Sequence, residues 1–178
     1  MTLGQKTAVR FMLASLVFLS LGVLEGLMQP TKFVFKDFYC LVLGLEPQHI
    51  KPFFGYFVSK IHTHVALVGW VTTGLMGLFY FAAEQIRGGS CFRQCLCSSN
   101  LFLQVVGVLL LAVGFHLIGL KAIPTGHPAG SPEFRAAAQG VKSVVVAGGA
   151  VLLASCLLFT YNIAATLLTK SPRMDKAV

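Results

Sequence analysis

The stretch KIHTHVALVGWVTTGLMGLFYFAAEQ, Lys60–Gln85, decides the fold of this chain. Its nineteen residues from Val65 to Ala83 carry no charge, and a helix needs about 20 apolar residues to cross the hydrocarbon core of a bilayer. The stretch opens with His62 and His64, although ionisable side chains are costly to place in lipid. The run therefore predicts a membrane helix, and its two histidines are the first candidates for a functional site.

The sequence as a whole has the composition of a membrane protein. Of its 178 residues, 56% are hydrophobic and 11% are charged, whereas about 25% of a soluble domain is charged. The mean hydropathy is +0.78. The apolar runs are continuous, which excludes a β-barrel, because barrel strands alternate. We therefore predict an all-α integral membrane protein with a four-transmembrane-helix bundle in a single membrane domain, 1–178. Spans are expected at about 7–28, 62–84, 101–121 and 143–168, with outer loops at 29–61 and 122–142 and an inner loop at 85–100.

The net charge of +8 would suggest nucleic-acid binding in a soluble protein, but in a membrane protein it has another explanation. The basic residues fall in loops and tails, where they anchor helix ends against anionic lipid. No basic cluster is interleaved with aromatic residues, so the lipid bilayer, and not a nucleic acid, is the expected partner. Four spans place both termini on one side, where the basic residues lie in shorter segments. The positive-inside rule then favours cytoplasmic termini, in a bacterial inner membrane.

The two outer connections differ in character. FVFKDFYCLVLGL, residues 33–45, is rich in Phe and Leu and predicts a short interfacial or re-entrant helix, with a loop packed on the bundle as the alternative. KAIPTGHPAGSPEFRAAAQG, residues 121–140, contains several Pro and Gly residues and predicts a loop followed by one helical turn.

Three histidines are expected to share one depth in the membrane. His62 and His64 stand at the outer start of the second span, and His116 stands four residues before the outer end of the third, at Leu120. Antiparallel neighbouring helices can place such residues side by side. Interfacial histidines that only form hydrogen bonds at helix ends are the simpler alternative.

The two histidines of the second span face nearly opposite directions, because they are two residues apart on a helix. His62 shares its stripe with Gly69 and Thr73, whereas His64 shares its stripe with bulky Leu and Val residues. A flat macrocycle requires a helix surface without bulky branches. The pattern therefore favours a bis-histidine haem site formed by His62 and His116, with Gly69 and Thr73 beside it.

Other polar residues have two interpretations each. Glu25 lies at the depth of the histidines. Its functional interpretation is a proton relay or a partner that orients a histidine. The alternative is a hydrated or lysine-paired carboxylate at the helix end. His127 could contact a haem propionate or a partner, although loop histidines usually do neither. Cys91, Cys95 and Cys97 could bind a metal, but a tetrahedral site needs a fourth ligand, and reduced thiols in a cytoplasmic turn are the alternative.

Several segments resemble a known family. HTHVALVGWVTTGLMGLFYF, residues 62–81, resembles the second transmembrane helix of the haem–copper oxidase catalytic subunit, and the nitric oxide reductase branch is the most similar. PFFGYFVSKIHTH, residues 52–64, is similar to the approach to that helix. LLFTYNIAATLL, residues 157–168, resembles the last helix of small four-span relatives with an H-x-H…GW motif. The resemblance implies that His62 is a ligand of the low-spin haem.

The resemblance also implies what this chain does not do alone. In the family, later helices bring the histidines of the binuclear centre and the second ligand of the low-spin haem, and this four-span chain has neither. We therefore expect no catalytic activity from the isolated chain. We expect a haem b-binding subunit for electron transfer or small-ligand sensing, in a homo-oligomer or a larger membrane complex. A cofactor-free accessory subunit of a respiratory or metal-enzyme complex, and a copper-binding protein using His62, His64 and His116, are the alternatives.

Overall fold

The computed structural model describes residues 1–89 and 92–168, which fold mainly as helices. In these residues, four helical segments are long and apolar enough to cross a membrane. The prediction of an all-α protein with four transmembrane helices is thereby confirmed, and these helices imply contact with the lipid bilayer. The four segments are Leu3–Thr31, Pro47–Arg87, Gln94–Thr125 and Pro132–Leu168.

Helix α1, Leu3–Thr31, begins with a capping box and ends just after a proline. The Thr2 side chain accepts a hydrogen bond from the backbone of Gln5, and the Gln5 side chain accepts one from the backbone of Thr2. This reciprocal pair satisfies two backbone donors that a helix start leaves free. Pro30 lies in the last turn, where it lacks the N–H that would bond the preceding turn and so weakens the helix end. The first membrane helix is thus delimited by local sequence signals.

A short helix, α2, Lys36–Leu43, lies in the first outer connection. Tyr39 is its buried residue, and Phe38 and Leu41 are exposed. Gly44 follows with a φ of 64°, a conformation that favours glycine and ends the helix. The expected short helix is therefore present, while its position at a membrane interface remains a prediction.

Helix α3, Pro47–Arg87, starts well before the span expected from residue 62. Pro47 occupies a first-turn position, which tolerates the missing N–H. Two widened π-helical turns, Phe54–Val58 and Val65–Thr72, interrupt its α-helical hydrogen bonding. Such turns occur often at functional sites, and the segment with His62 and His64 lies between them.

Helices α4, Gln94–Ala122, and α5, Pro132–Leu168, form a close antiparallel pair. A Cβ on Gly114 would lie 2.6 Å from the Val145 side chain, and one on Gly148 would lie 2.9 Å from the Leu111 backbone nitrogen. Small residues at helix contacts allow such close approach in membranes. The α4–α5 pair and the α1–α3 pair are the two most extensive helix contacts among the described residues.

The loop before α5 is shorter than expected. Ser131 accepts a hydrogen bond from the backbone of Phe134 at 3.1 Å, and Pro132 follows it as the first helical residue. A serine cap followed by proline is a strong helix start. Several turns of α5 therefore precede the expected span, in place of the single turn that the sequence predicted.

A column of buried polar side chains joins α3, α4 and α5. Asn100 donates to the Ser155 carbonyl and hydroxyl at 2.9 Å each, and its Oδ1 accepts from the Tyr80 hydroxyl at 3.2 Å. Gln104 accepts from the Ser155 hydroxyl at 3.1 Å. Polar groups in an apolar interior need such partners, so the column fixes the register of the three helices. Its members are Thr73, Tyr80, Asn100, Gln104, Ser155 and Asn162.

Candidate functional site

The ring of His62 is held against α1 by a hydrogen bond between helices. Its Nδ1 lies 2.8 Å from the carbonyl oxygen of Gly22. A carbonyl only accepts, so Nδ1 carries the proton, and Nε2 of the neutral ring keeps its lone pair. A Cβ on Gly26 would lie 3.1 Å from Cε1 of this ring. Two glycines of α1 therefore fix the orientation of His62.

His64 faces a different helix. Its Nδ1 lies 2.7 Å from the carbonyl oxygen of Lys60 in its own helix, and its ring centroid is 5.2 Å from that of Phe115 on α4. His62 and His64 thus point to different neighbours, which is the arrangement that a spacing of two residues on a helix produces. Of these two histidines, His62 is the one whose ring forms a hydrogen bond to another helix.

His116 lies against the start of α3. Its Nδ1 donates to the carbonyl of Ala112 at 2.9 Å, and its ring centroid is 6.4 Å from that of Phe53. His62 rests on α1, so the rings of the predicted pair lie against different neighbours. Among residues 1–89 and 92–168, no three His, Cys, Asp or Glu side chains form a group that could hold a metal ion. The structure therefore does not gather His62, His64 and His116 into a copper-type cluster.

The small-residue face next to His62 is covered by protein. A Cβ on Gly69 would lie 2.8 Å from the Phe18 ring of α1. Thr73 is fully buried, and its hydroxyl donates to the carbonyl of Val68 at 3.2 Å and accepts from Gln104 at 3.2 Å. In this structure, α1 and Gln104 occupy the space that was predicted to border a flat macrocycle.

Glu25 is half-buried in α1, immediately before Gly26. Its Oε2 is buried and has no hydrogen-bond partner among the described residues. The bond that orients His62 goes to the Gly22 carbonyl, which takes the place that a carboxylate partner would have. Glu25 therefore remains a candidate for proton exchange and does not orient His62.

Cys95 and Cys97 lie in the first turn of α4 and have different surroundings. Cys95 is exposed, whereas Cys97 is buried and lies 3.5 Å from the amide nitrogen of Asn162. Cys91 lies outside the described residues. The thiol of Cys97 thus contacts the end of the polar column at Asn162.

Sequence reasoning missed the polar column and a buried carboxylate near the start of α1. Glu84 is 3% exposed and accepts from the Thr2 hydroxyl and, at 3.2 Å, from the Gly4 backbone. Asn100 and Gln104, four residues apart within an apolar run, were a signal that these side chains share one helix face. Their partners on α3 and α5 were not readable from spacing alone.

Comparison with known proteins gives one distant similarity. The chain is 29% identical over 119 residues to cytochrome c oxidase subunit 1 of Thermus thermophilus. The alignment covers 65% of this chain and 21% of that subunit, so the chain matches only about a fifth of its relative. No protein-family model and no solved structure matches the chain. The similarity supports a distant relationship between this integral membrane protein and the haem–copper oxidases.

Proposed function

We propose that the chain is a haem b-binding membrane subunit related to the low-spin haem region of the haem–copper oxidases. The observation that carries the proposal is the hydrogen bond from His62 Nδ1 to the Gly22 carbonyl. A histidine that ligates a metal commonly donates its other N–H to a carbonyl or carboxylate, which fixes its tautomer and orientation. His62 makes this bond to the protein itself, so its ring is already oriented without a ligand.

His62 is the residue that would hold the haem, through Nε2. Haem would supply one-electron transfer there, and a second histidine ligand would favour electron transfer over gas binding. The glycines of α1 hold the ring of His62 in one orientation. The second ligand is proposed to come from His116 or from another chain, in a homo-oligomer or a larger complex. Electron transfer or small-ligand sensing within that complex follows as the proposed role.

A visible spectrum of the purified, dithionite-reduced chain tests the proposal. We expect a haem b Soret band with sharp α and β bands, and we expect His62→Ala to abolish them. His64→Ala is the matched control, because His64 is two residues away and bonds only its own helix; it should largely spare the spectrum. His116→Ala then identifies the second ligand. Bands that survive in a folded His62→Ala variant, checked by size exclusion, contradict the proposal.

A second function, a cofactor-free accessory subunit, is favoured by the contact between Gly69 and Phe18. This contact fills the face beside His62, and a haem would have to displace the Phe18 side chain or lie elsewhere around Nε2. A folded preparation without colour and without metal on elemental analysis supports this second function. Copper in a colourless preparation would support a copper-binding protein instead.

A further inference from the structure

A cavity of about 740 Å³ lies where the end of α1, the first turns of α3 and the α4–α5 loop meet. It is separate from the His62 site, and its volume falls within the usual range for small-molecule sites. Several of its lining side chains are basic or can donate hydrogen bonds, namely Lys32, Gln48, His49, Lys51, Tyr56 and His127.

The charge around this cavity is positive. Lys32 and Lys51 each contribute a cation, and His49 and His127 become cationic when protonated. In the described part of the chain, no carboxylate lines the cavity. The cavity is thus suited to a ligand with negative charge.

Glu46 and Glu133, which lie close in sequence to lining residues, leave this charge largely in place. Glu46, which precedes α3, accepts a hydrogen bond from Gln48 at 2.5 Å. Glu133 interacts electrostatically with His127, so it offsets part of the charge that His127 contributes. Lys32 lies over the Phe33 ring, 5.4 Å from its centroid, a contact that leaves its charge uncompensated. Lys32 and Lys51 are therefore the main cationic groups of the cavity.

His49 adds an observation that is independent of charge. Its Nδ1 is buried and has no hydrogen-bond partner among the described residues. Buried polar atoms in folded proteins nearly always have a partner, and an exception requires an explanation such as a bound ligand or water. The His49 ring lines the cavity, but Nδ1 itself is enclosed by the protein, so a ligand in the cavity would bond Nδ1 only after the ring turns.

We propose that this cavity binds a phosphate-bearing anion, either the headgroup of an anionic phospholipid or free phosphate. Lysine is a common phosphate ligand. Helix α2 begins four residues after Lys32, and its exposed Phe38 and Leu41 give the neighbouring surface an apolar character suited to acyl chains. The proposal is independent of haem binding at His62.

The test uses the full chain in a mild neutral detergent and follows its thermal unfolding. Short-chain phosphatidylglycerol, short-chain phosphatidylcholine and sodium phosphate are titrated separately, the last against sodium chloride at equal ionic strength. We expect phosphatidylglycerol or phosphate to raise the unfolding temperature and phosphatidylcholine to have no effect. A response to phosphatidylglycerol alone identifies a lipid, and a response to phosphate identifies the free anion as sufficient.

Variants locate the binding. Lys51→Gln should weaken the apparent affinity about tenfold, because a hydrogen bond to a charged group contributes at least that much. His49→Phe should also weaken it, since the variant lacks Nδ1. Lys121→Gln is the matched control, because Lys121 is exposed at the same end of the bundle and does not line the cavity. Equal responses to both phospholipids, no response to either anion, or equal losses in Lys51→Gln and Lys121→Gln would overturn the proposal.

Discussion

Gly26 of α1 lies directly beside the ring of His62, and the carbonyl of Gly22, one turn earlier, accepts a hydrogen bond from Nδ1. Neither glycine has a positive φ, so neither is required by its backbone conformation. The role of Gly26 is steric, since a side chain at this position would occupy the space of the imidazole, whereas Gly22 acts through its backbone carbonyl. The orientation of a candidate ligand on α3 thus depends on the absence of side chains on α1.

Gly26→Val tests this dependence. The added Cβ would lie 3.1 Å from Cε1 of His62, so we expect the ring to move and its bond to Gly22 to weaken. If His62 binds haem, the haem content per chain, measured from the reduced spectrum, should fall clearly below that of the wild type. Gly149→Val is the control, because a Cβ there meets no atom within 4 Å. An unchanged haem content in Gly26→Val would show that the ring does not depend on this glycine.

A substitution at Asn100 tests whether the polar column stabilises the fold. Asn100 makes three side-chain hydrogen bonds to Tyr80 and Ser155, and membrane hydrogen bonds contribute about 0.6 kcal/mol on average. Asn100→Leu should therefore lower the free energy of unfolding by about 2 kcal/mol, measured by titration with a denaturing detergent. Thr160→Val, at an exposed position of α5, should change stability by less than about 0.5 kcal/mol. Equal effects of the two substitutions would contradict a structural role for the column.

These residues show how far sequence reasoning reached at this scale. The spacing of two residues predicted that His62 and His64 face different directions, because helix geometry is local. The same reasoning predicted an accommodating surface at Gly69, yet Phe18 of α1 fills it. A gap beside a small residue is a property of two helices, so a pattern on one helix does not reveal whether it is filled.

At the scale of elements, α4 and α5 approach each other through glycines. A Cβ on Gly107 would lie 2.7 Å from the Leu152 side chain, and Gly114 and Gly148 are similarly close to Val145 and Leu111. Hydrophobic burial does not drive helices together within lipid, so close packing and hydrogen bonds must do so. The small residues of this pair are therefore the basis of its stability.

Gly148 and Gly149 form a matched pair for testing this contact. A Cβ on Gly148 would lie 2.9 Å from the Leu111 backbone nitrogen, whereas one on Gly149 meets no atom within 4 Å. Gly148→Leu should lower the free energy of unfolding by about 1–3 kcal/mol, because the backbones would have to separate. Gly149→Leu should be close to neutral. The yield of monodisperse protein and its unfolding temperature in detergent distinguish them, and similar values for both variants would contradict the packing.

The start of α3 shows why element boundaries are hard to predict. The outer loop predicted at 29–61 contains Pro47 and Pro52, yet both lie within one helical segment, Pro47–Arg87. Pro47 loses little at the first helical position, because the first N–H groups have no partner within the helix. Pro52 lies inside the helix and lacks an N–H that would bond the preceding turn. The buried cluster around Phe53 and Phe57 stabilises these turns, and that cluster exists only in the folded chain.

At the scale of the whole molecule, four crossings place the loops at Gly89 and Gly130 on opposite sides of the membrane. A protease recognition sequence inserted after Gly89 should be cut from one side of sealed vesicles, and one inserted after Gly130 from the other. If the termini are cytoplasmic, as basic residue density favours, the first site is cut only in inverted vesicles. Cleavage of both sites from the same side would contradict a fold with four crossings.

The sequence by itself determined the class of this protein, its number of membrane helices and the residue on which the functional hypothesis depends. These features are local, because hydropathy over about 20 residues and the helical repeat require no knowledge of other segments. The tertiary structure alone decided that Gly22 orients His62, that Phe18 covers Gly69, and that Lys32, His49, Lys51 and His127 surround one cavity. Each of these depends on which helices are neighbours, and in a bilayer every apolar face can pack equally well against lipid, so packing between helices makes that choice.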